Sequence, residues 1–249
     1  MTFDPEHWKK TTIFDPQTLR ENTPSSPKKS KAKPTFDPNI LTWYFVAGTQ
    51  DFNGDESAFL AQLERLLEAG ITAFQFREKG PGSLEAFPTK RQHLAERCHA
   101  LTKQYHIPLF IDDDVDLAIA IHAEGIHTGQ KDEAITSVIG RVPTDMMIGL
   151  SCNTTSEIHA ANQIAAIDYI GVGTVFPTAT KSDAGQALGL EKLTMLTQLS
   201  IHPVVAIGGI TEERVFDVFA SGVDGIAAVR LFATLSNPKM TFAHCNHHR

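Results

Sequence analysis

Eight times between residues 42 and 230, the chain passes from a short run rich in β-branched and aromatic residues to a stretch of helical spacing. The predicted strands are Thr42–Val46, Ala73–Arg77, Leu109–Ile111, Gly125–His127, Met147–Ser151, Tyr169–Val172, Val204–Ile207 and Gly225–Val229. Side chains alternate faces along a strand, whereas positions three and four apart share a face of a helix. "SAFLAQLERLLEAG" and "KRQHLAERCHALTKQY" carry the helical period, and "AGI", "AEGI" and "SGVDGI" read as helix C-caps that feed the next strand. Each strand therefore returns to a parallel neighbour through a helix. Eight such units predict an α/β fold, a closed (β/α)8 TIM barrel, with an open doubly wound sheet as the alternative.

The rhythm begins at "ILTWYFVAG", which sets the domain limits: an N-terminal arm over residues 1–40, the barrel over 41–236, and a tail over 237–249. The arm holds six of the 13 prolines, the basic run "SPKKSKAKP", and a Phe-Asp-Pro phrase at three places, "TFDP" at 2, "IFDP" at 13 and "TFDP" at 35. Apolar residues do not recur there at a folding period, so a flexible arm is expected, with the phrases making turns. The tail's "HCNHH" is expected to be a solvated end rather than a metal site. A net charge of −7 argues against a nucleic-acid or anionic-membrane binder, though a local group of cations can still hold a small anion. The cysteines Cys98, Cys152 and Cys245 have neither a paired framework nor zinc spacing. No apolar stretch approaches the ~20 residues that span a bilayer, and no secretory or transit pattern opens the chain, so a cytoplasmic location is expected.

In a barrel of this kind, chemistry collects at the C-terminal strand ends, and the unusual residues of this chain fall there. "QFREKG" puts Gln75, Arg77 and Lys79 on one face of strand 2 and Phe74 and Phe76 on the other. "DDD", Asp112 to Asp114, follows strand 3, and "HTGQKD" brings His127, Gln130 and Asp132 after strand 4. Strand 5 ends at Ser151, strand 6 runs into "GVGTVFPTATKSDAGQALGLE", strand 7 into "IGGIT", and strand 8 into "AAVRL". Asp113 and Asp132 are hard anionic ligands suited to Mg2+, which takes one or two carboxylates and completes its shell with water and phosphate oxygens. Arg77, Lys79 and Lys181 suit a diphosphate bridged by that metal. Each residue also has an ordinary structural use: Asp114 as a helix N-cap, His127 as a buried hydrogen-bonding residue, "IGGIT" as a tight turn. Their arrival in barrel order at one rim is what points to a ligand site.

The segments "YFVAGTQD", "QFREKG", "IDDDVDLAIAIHAEGIHTGQKD", "IGLSCNT", "YIGVGTVFPTATKSDAGQALGLE" and "VAIGGIT" together resemble the thiamine-phosphate synthase family over about residues 41 to 232. The resemblance implies a (β/α)8 barrel and a transferase of thiamine biosynthesis. That reaction joins a hydroxymethylpyrimidine diphosphate to a thiazole phosphate and releases pyrophosphate, with Mg2+ as cofactor, through a dissociative step. Carried onto this chain, it implies Gln75 at the pyrimidine, with Arg77, Lys79, Ser151 and Lys181 at the diphosphate and Asp113 and Asp132 on magnesium. Thr178 and Thr180 would meet the thiazole, Gly209 and Val229 would line its phosphate pocket, and the segment 179–189 would act as a lid.

Two positions depart from the family pattern. Asp112, counted among the substrate-binding residues, stands where an asparagine amide usually contacts the diphosphate, and an ionised carboxylate cannot donate there. Arg230 stands where a serine usually follows strand 8, and its fork suits the thiazole phosphate. Other readings are the thiazole tautomerase branch of the same fold and a non-catalytic module that holds thiamine phosphate. Retention of Arg77, Lys79, Asp113, Asp132 and Lys181 favours the synthase. The expected partners are small-molecule substrates, without nucleic acid or membrane, and pairing of outer helices into a homo-oligomer is an expectation of the same kind.

Overall fold

The computed structural model describes residues 35–178, 186–235 and 237–246. The strands are β1 Trp43–Ala47, β2 Ala73–Phe76, β3 Leu109–Asp112, β4 Gly125–Thr128, β5 Met147–Ser151, β6 Tyr169–Val172, β7 Val204–Ile207 and β8 Gly225–Ala228. Each pairs in parallel with the next, and β8 returns to β1, so the sheet closes into an eight-stranded barrel. The predicted fold holds, and the open-sheet alternative does not. Strand limits differ from the sequence expectation by one residue at every end that shifts, as expected where pairing rather than propensity decides an end.

Alternation along the strands divides the apolar residues into two cores. Outward positions such as Phe45, Phe74, Phe76 and Ile111 pack under the helices, while Tyr44, Val46, Ala73, Phe110, Tyr169 and Val205 fill the barrel interior. Burial of each large side chain contributes roughly 1.5–3 kcal/mol. Interior glycine makes room for the rings. A Cβ on Gly149 would lie 2.3 Å from Tyr169 and 2.5 Å from His127, so only glycine lets both rings cross the lumen.

The outer layer is formed by α1 Glu56–Ala69, α2 Pro88–Gln104, α3 Val115–Ala120, α4 Ile135–Arg141, α5 Thr155–Ala161, α6 Gly189–Leu199, α7 Val215–Ala220 and α8 Arg230–Thr234. Buried Phe59, Leu63, Leu66 and Leu67 on α1 repeat at the spacing of one helical stripe. Asp55 caps α1 through the Ser57 and Ala58 amides, and a Thr154–Glu157 capping box starts α5. Among the described residues no helix is long and apolar enough to cross a membrane.

Structure extends past both limits read from the sequence. Before residue 41, Asp37 caps a 3-10 turn over Pro38–Leu41, and the Phe36 ring stacks on Tyr169 at 5.9 Å between centroids and 16° between planes. The third Phe-Asp-Pro phrase therefore supplies a ring against the interior core, a cap, and a proline in the first turn of the 3-10 helix. The other two phrases lie outside the described residues. Beyond residue 236, Pro238–Asn246 forms α9, whose Phe242 is buried and stacks on Trp43 at 4.8 Å. The side chains of "HCNHH" fall outside the described residues.

Candidate active site

The hexapeptide "QFREKG" is a strand end with two faces and a bolt. Phe74 and Phe76 anchor β2 in the outer core, which turns Gln75, only 5% exposed, into the lumen. Arg77 continues the inward face and is half-buried; its amide donates to Ala47 O at 2.9 Å. Glu78 points the other way and is buried. It accepts from the Thr49 amide at 2.6 Å, the Thr49 hydroxyl at 2.9 Å and the Leu84 amide at 2.6 Å, which pins the loops after β1 and β2 together. Lys79 then emerges on the same side as Arg77.

These cations meet the acids of β3 and β4. Arg77 Nε lies 3.3 Å from Asp112 Oδ2, and Lys79 Nζ lies 3.6 Å from Asp112 and 3.8 Å from Asp132 while bonding Asp113 directly. Burial works against the charged form of Lys79, yet the carboxylates of Asp112, Asp113 and Asp132 outweigh it and raise its pKa. Asp113 is also raised, first by burial and then by neighbouring Asp132, against the opposing pull of Lys79. Asp113 shares that ammonium with two other acids and so ionises reluctantly. Local backbone sets these positions. Asp113 has φ 59 and donates its amide to His127 O at 2.8 Å, and Asp132 accepts from the Gly129 amide at 3.0 Å. Asp114 caps α3 through the Leu117 amide at 2.9 Å and pairs with Arg91, as its capping role predicts.

The lumen opens above Gln75 into a cavity of ≈ 750 Å³ that Arg77, Asp132 and Ser151 border on one side. The opposite wall is made by Gly208 and Gly209 after β7, Val229 and Arg230 at the end of β8, and Thr178 after β6. Gly209 has φ 67, and a Cβ there would lie 2.5 Å from Phe176 O, so the "IGG" turn and the 173–178 segment approach as only glycine permits. Arg230 is exposed, lines the cavity and forms no ion pair with the described residues. Thr180 and Lys181, with the rest of 179–185, lie outside the described residues. The remaining site residues read from the sequence come together at this one rim.

Sequence reasoning missed the floor of the cavity. Gln75 Nε2 donates to the Tyr44 hydroxyl at 3.1 Å, Tyr44 and Tyr169 hydroxyls lie 2.9 Å apart, and Tyr169 meets His127 Nδ1 at 3.0 Å. His127 Nε2 then lies 3.0 Å from Ser151 Oγ. Strand parity offered the signal, because Tyr44 and Tyr169 fall on the inward positions of β1 and β6. Two more positions were missed. Asn153 Oδ1 accepts from the Gly173 amide at 2.9 Å, and Arg214 stacks 4.3 Å above the Phe176 ring while donating to Gly209 O at 3.0 Å.

Residues 43–232 match the family model described as thiamine monophosphate synthase. A thiamine-phosphate synthase of Pediococcus pentosaceus is 55% identical over 201 residues, covering 81% of this chain and 92% of that protein. Another from Limosilactobacillus reuteri is 47% identical over 196 residues, covering 79% and 90%. Among solved structures, thiamine phosphate pyrophosphorylase from Pyrococcus furiosus superposes with a TM-score of 0.70 at 30% identity, covering 84% of this chain and 96% of that one. With the barrel, the rim and these likenesses in agreement, the chain belongs to the thiamine monophosphate synthase family.

Proposed function

We propose that this chain is the transferase that joins a hydroxymethylpyrimidine diphosphate to a thiazole phosphate, giving thiamine phosphate and pyrophosphate. The observation that carries this reading is the division of one cavity into two unlike ends. Arg77 and Asp132 border one end and are tied by ion pairs to Lys79, Asp112 and Asp113 behind them, and the glycine turn at Gly208–Gly209 with Arg230 forms the other. Two anionic substrates can thus be held apart at their charged ends and together at their reacting ends.

The floor supplies Gln75 to the pyrimidine ring. Arg77, Lys79 and Ser151 are assigned to the diphosphate, with Lys181 joining them from the 179–185 segment. Asp113 and Asp132 would hold Mg2+, since their carboxylates converge on a single cation, Lys79 Nζ, and both are hard oxygen donors. Among the described residues no group of three acids, histidines or cysteines forms a ready metal cage, which suits an ion that completes its shell with water and substrate phosphate. When bound, magnesium would neutralise charge growing on the leaving diphosphate. Diphosphate binding would draw Lys79 off its carboxylates and onto phosphate oxygens, so the ammonium that balances Asp112, Asp113 and Asp132 would also stabilise the leaving group. Asp112 holds Arg77 in place rather than contacting the phosphate itself. Arg230, with Gly209, Val229, Thr178 and Thr180, is assigned to the thiazole phosphate. No strong base is required, because the chemistry asks for positioning and exclusion of water while the carbon–oxygen bond breaks and the thiazole nitrogen bonds to carbon.

The test is pyrophosphate release by the purified full chain with both substrates and Mg2+, and with each component left out in turn. The reading requires release that depends on all three. Release without the thiazole phosphate would make the protein a hydrolase, and binding of both substrates without release would make it a binding module.

A further inference from the structure

The hydrogen-bond chain under the cavity has a direction that follows from counting protons. Gln75 Nε2 donates to Tyr44. Both tyrosines are buried, and that burial pushes each phenol above its ordinary range, so each brings one proton and keeps it. Two contacts remain to be made, Tyr44 with Tyr169 and Tyr169 with His127 Nδ1. If Tyr44 donates to Tyr169 and Tyr169 donates to Nδ1, every proton has an acceptor. If the imidazole donated from Nδ1, Tyr169 would have to donate back to Tyr44. The Tyr44 proton would then be buried with no acceptor among the described residues, which is the costlier arrangement. With Gln75 Nε2 as the donor to Tyr44 the first order holds, and the imidazole proton lies on Nε2, donated to Ser151 Oγ; a Gln75 amide turned end for end would accept from Tyr44 and reverse the order, and the tautomer distinguishes the two.

Both ends of the chain are thereby assigned. Ser151 Oγ already accepts, so its own proton is offered to the cavity that it lines. Gln75 lines the same cavity with one Nε2 proton bonded to Tyr44, which leaves its carbonyl oxygen for a ligand donor. We propose that Tyr44, Tyr169 and His127 are positioning residues forming a one-way hydrogen-bond chain. It holds Gln75 as an acceptor for a ring amino group and Ser151 as a donor to the diphosphate. This deepens the proposed function and rests on it for the identity of the ligand. The chain itself rests only on the described geometry. It also explains why the interior of β5 and β6 keeps glycine at Gly149 and Gly171, where a Cβ would crowd the His127 ring.

The first measurement needs no substrate. In the 15N-labelled full chain, His127 should show a protonated Nε2 and an unprotonated Nδ1. Tyr169→Phe, which keeps the ring and removes the hydroxyl, should leave the proton on Nε2 and shift the Nδ1 resonance, because Nδ1 loses its hydrogen-bond donor. Tyr44→Phe should leave the tautomer as it is, because the Tyr169-to-His127 bond survives. A wild-type proton on Nδ1, or an Nδ1 resonance indifferent to Tyr169→Phe, overturns the proposal whatever the protein catalyses. Kinetics then reads the two ends. Tyr44→Phe should raise KM for the pyrimidine diphosphate about tenfold while leaving KM for the thiazole phosphate within about twofold, the scale of one lost hydrogen bond. Tyr169→Phe should lower kcat about tenfold in the wild-type background and hardly at all beside Ser151→Ala, because its effect on the leaving group passes through Ser151. Additive losses in kcat overturn the coupling. A wild-type protein that releases no pyrophosphate defeats the functional reading, and the tautomer result then decides the chain by itself.

Discussion

Lys79 shows how neighbouring carboxylates hold one ammonium at the rim. Its ammonium stands among Asp112, Asp113 and Asp132, and its pKa is held up by them against burial. Lys79→Ala and Arg77→Ala should each lower kcat by about 2–4 kcal/mol of transition-state stabilisation, the scale for a donor aimed at growing charge. Turnover near wild type in both variants would remove the clamp from the mechanism. Asp113 gives a prediction of opposite sign for stability and for function. Its folded-state pKa is raised, so the stability linked to its proton is present below the ordinary aspartate range and is lost as pH rises through the raised value. At neutral pH the metal-free Asp113→Asn protein should therefore melt no lower than wild type, while its Mg2+ requirement rises steeply. Asp114→Asn should change stability a little and metal dependence hardly at all, since its carboxylate caps α3. Equal metal dependence in the two variants would show that the acids are wrongly assigned. Arg230 begins α8, on the wall opposite the clamp. Arg230→Ser should raise KM for the thiazole phosphate and leave that for the pyrimidine diphosphate unchanged; tighter binding in the serine variant would mean that the arginine obstructs the pocket.

Elements show where local sequence information is sufficient. The stripe on α1, the cap at Asp114 and the parity of "QFREKG" are set within a few residues and were legible in the sequence; the caps at Asp55 and Thr154 are equally local but were not read there. The chain termini were not. Phe36 and Phe242 are single aromatics in polar surroundings, and each acquires meaning only from a partner far away, Tyr169 for one and Trp43 for the other. No periodicity can report such a pair. Truncation separates the two cases. Removing residues 1–34 should leave the melting temperature within a few degrees of wild type, because the barrel and its 3-10 turn keep their described contacts. Removing residues 1–38 also deletes the Phe36 ring and the Asp37 cap, and should cost about 1–3 kcal/mol more. Equal stability of the two truncated proteins would mean that the turn contributes nothing.

At the level of the whole molecule, closure of the barrel converts order along the chain into proximity. Strand ends from β2, β3, β4 and β5 become neighbours around one mouth, which is why Arg77, Asp112, Asp132 and Ser151 could be assigned to one rim from their positions in sequence. Fold class, the direction of the rim and the residue types on it were all determined by the sequence alone, because they depend on repeating periods and short-range parity. Which groups touch was decided by the tertiary structure. Tyr44 and Tyr169 are 125 residues apart and read as ordinary strand aromatics until closure brings their hydroxyls within 2.9 Å. The pairing of Asp112 with Arg77, and the gathering of three acids on Lys79, likewise needed the curvature of neighbouring strands. The physical reason is range: helix and strand periods act over a few residues, whereas hydrogen bonds and ion pairs depend on tenths of an ångström between elements that meet only when the sheet closes.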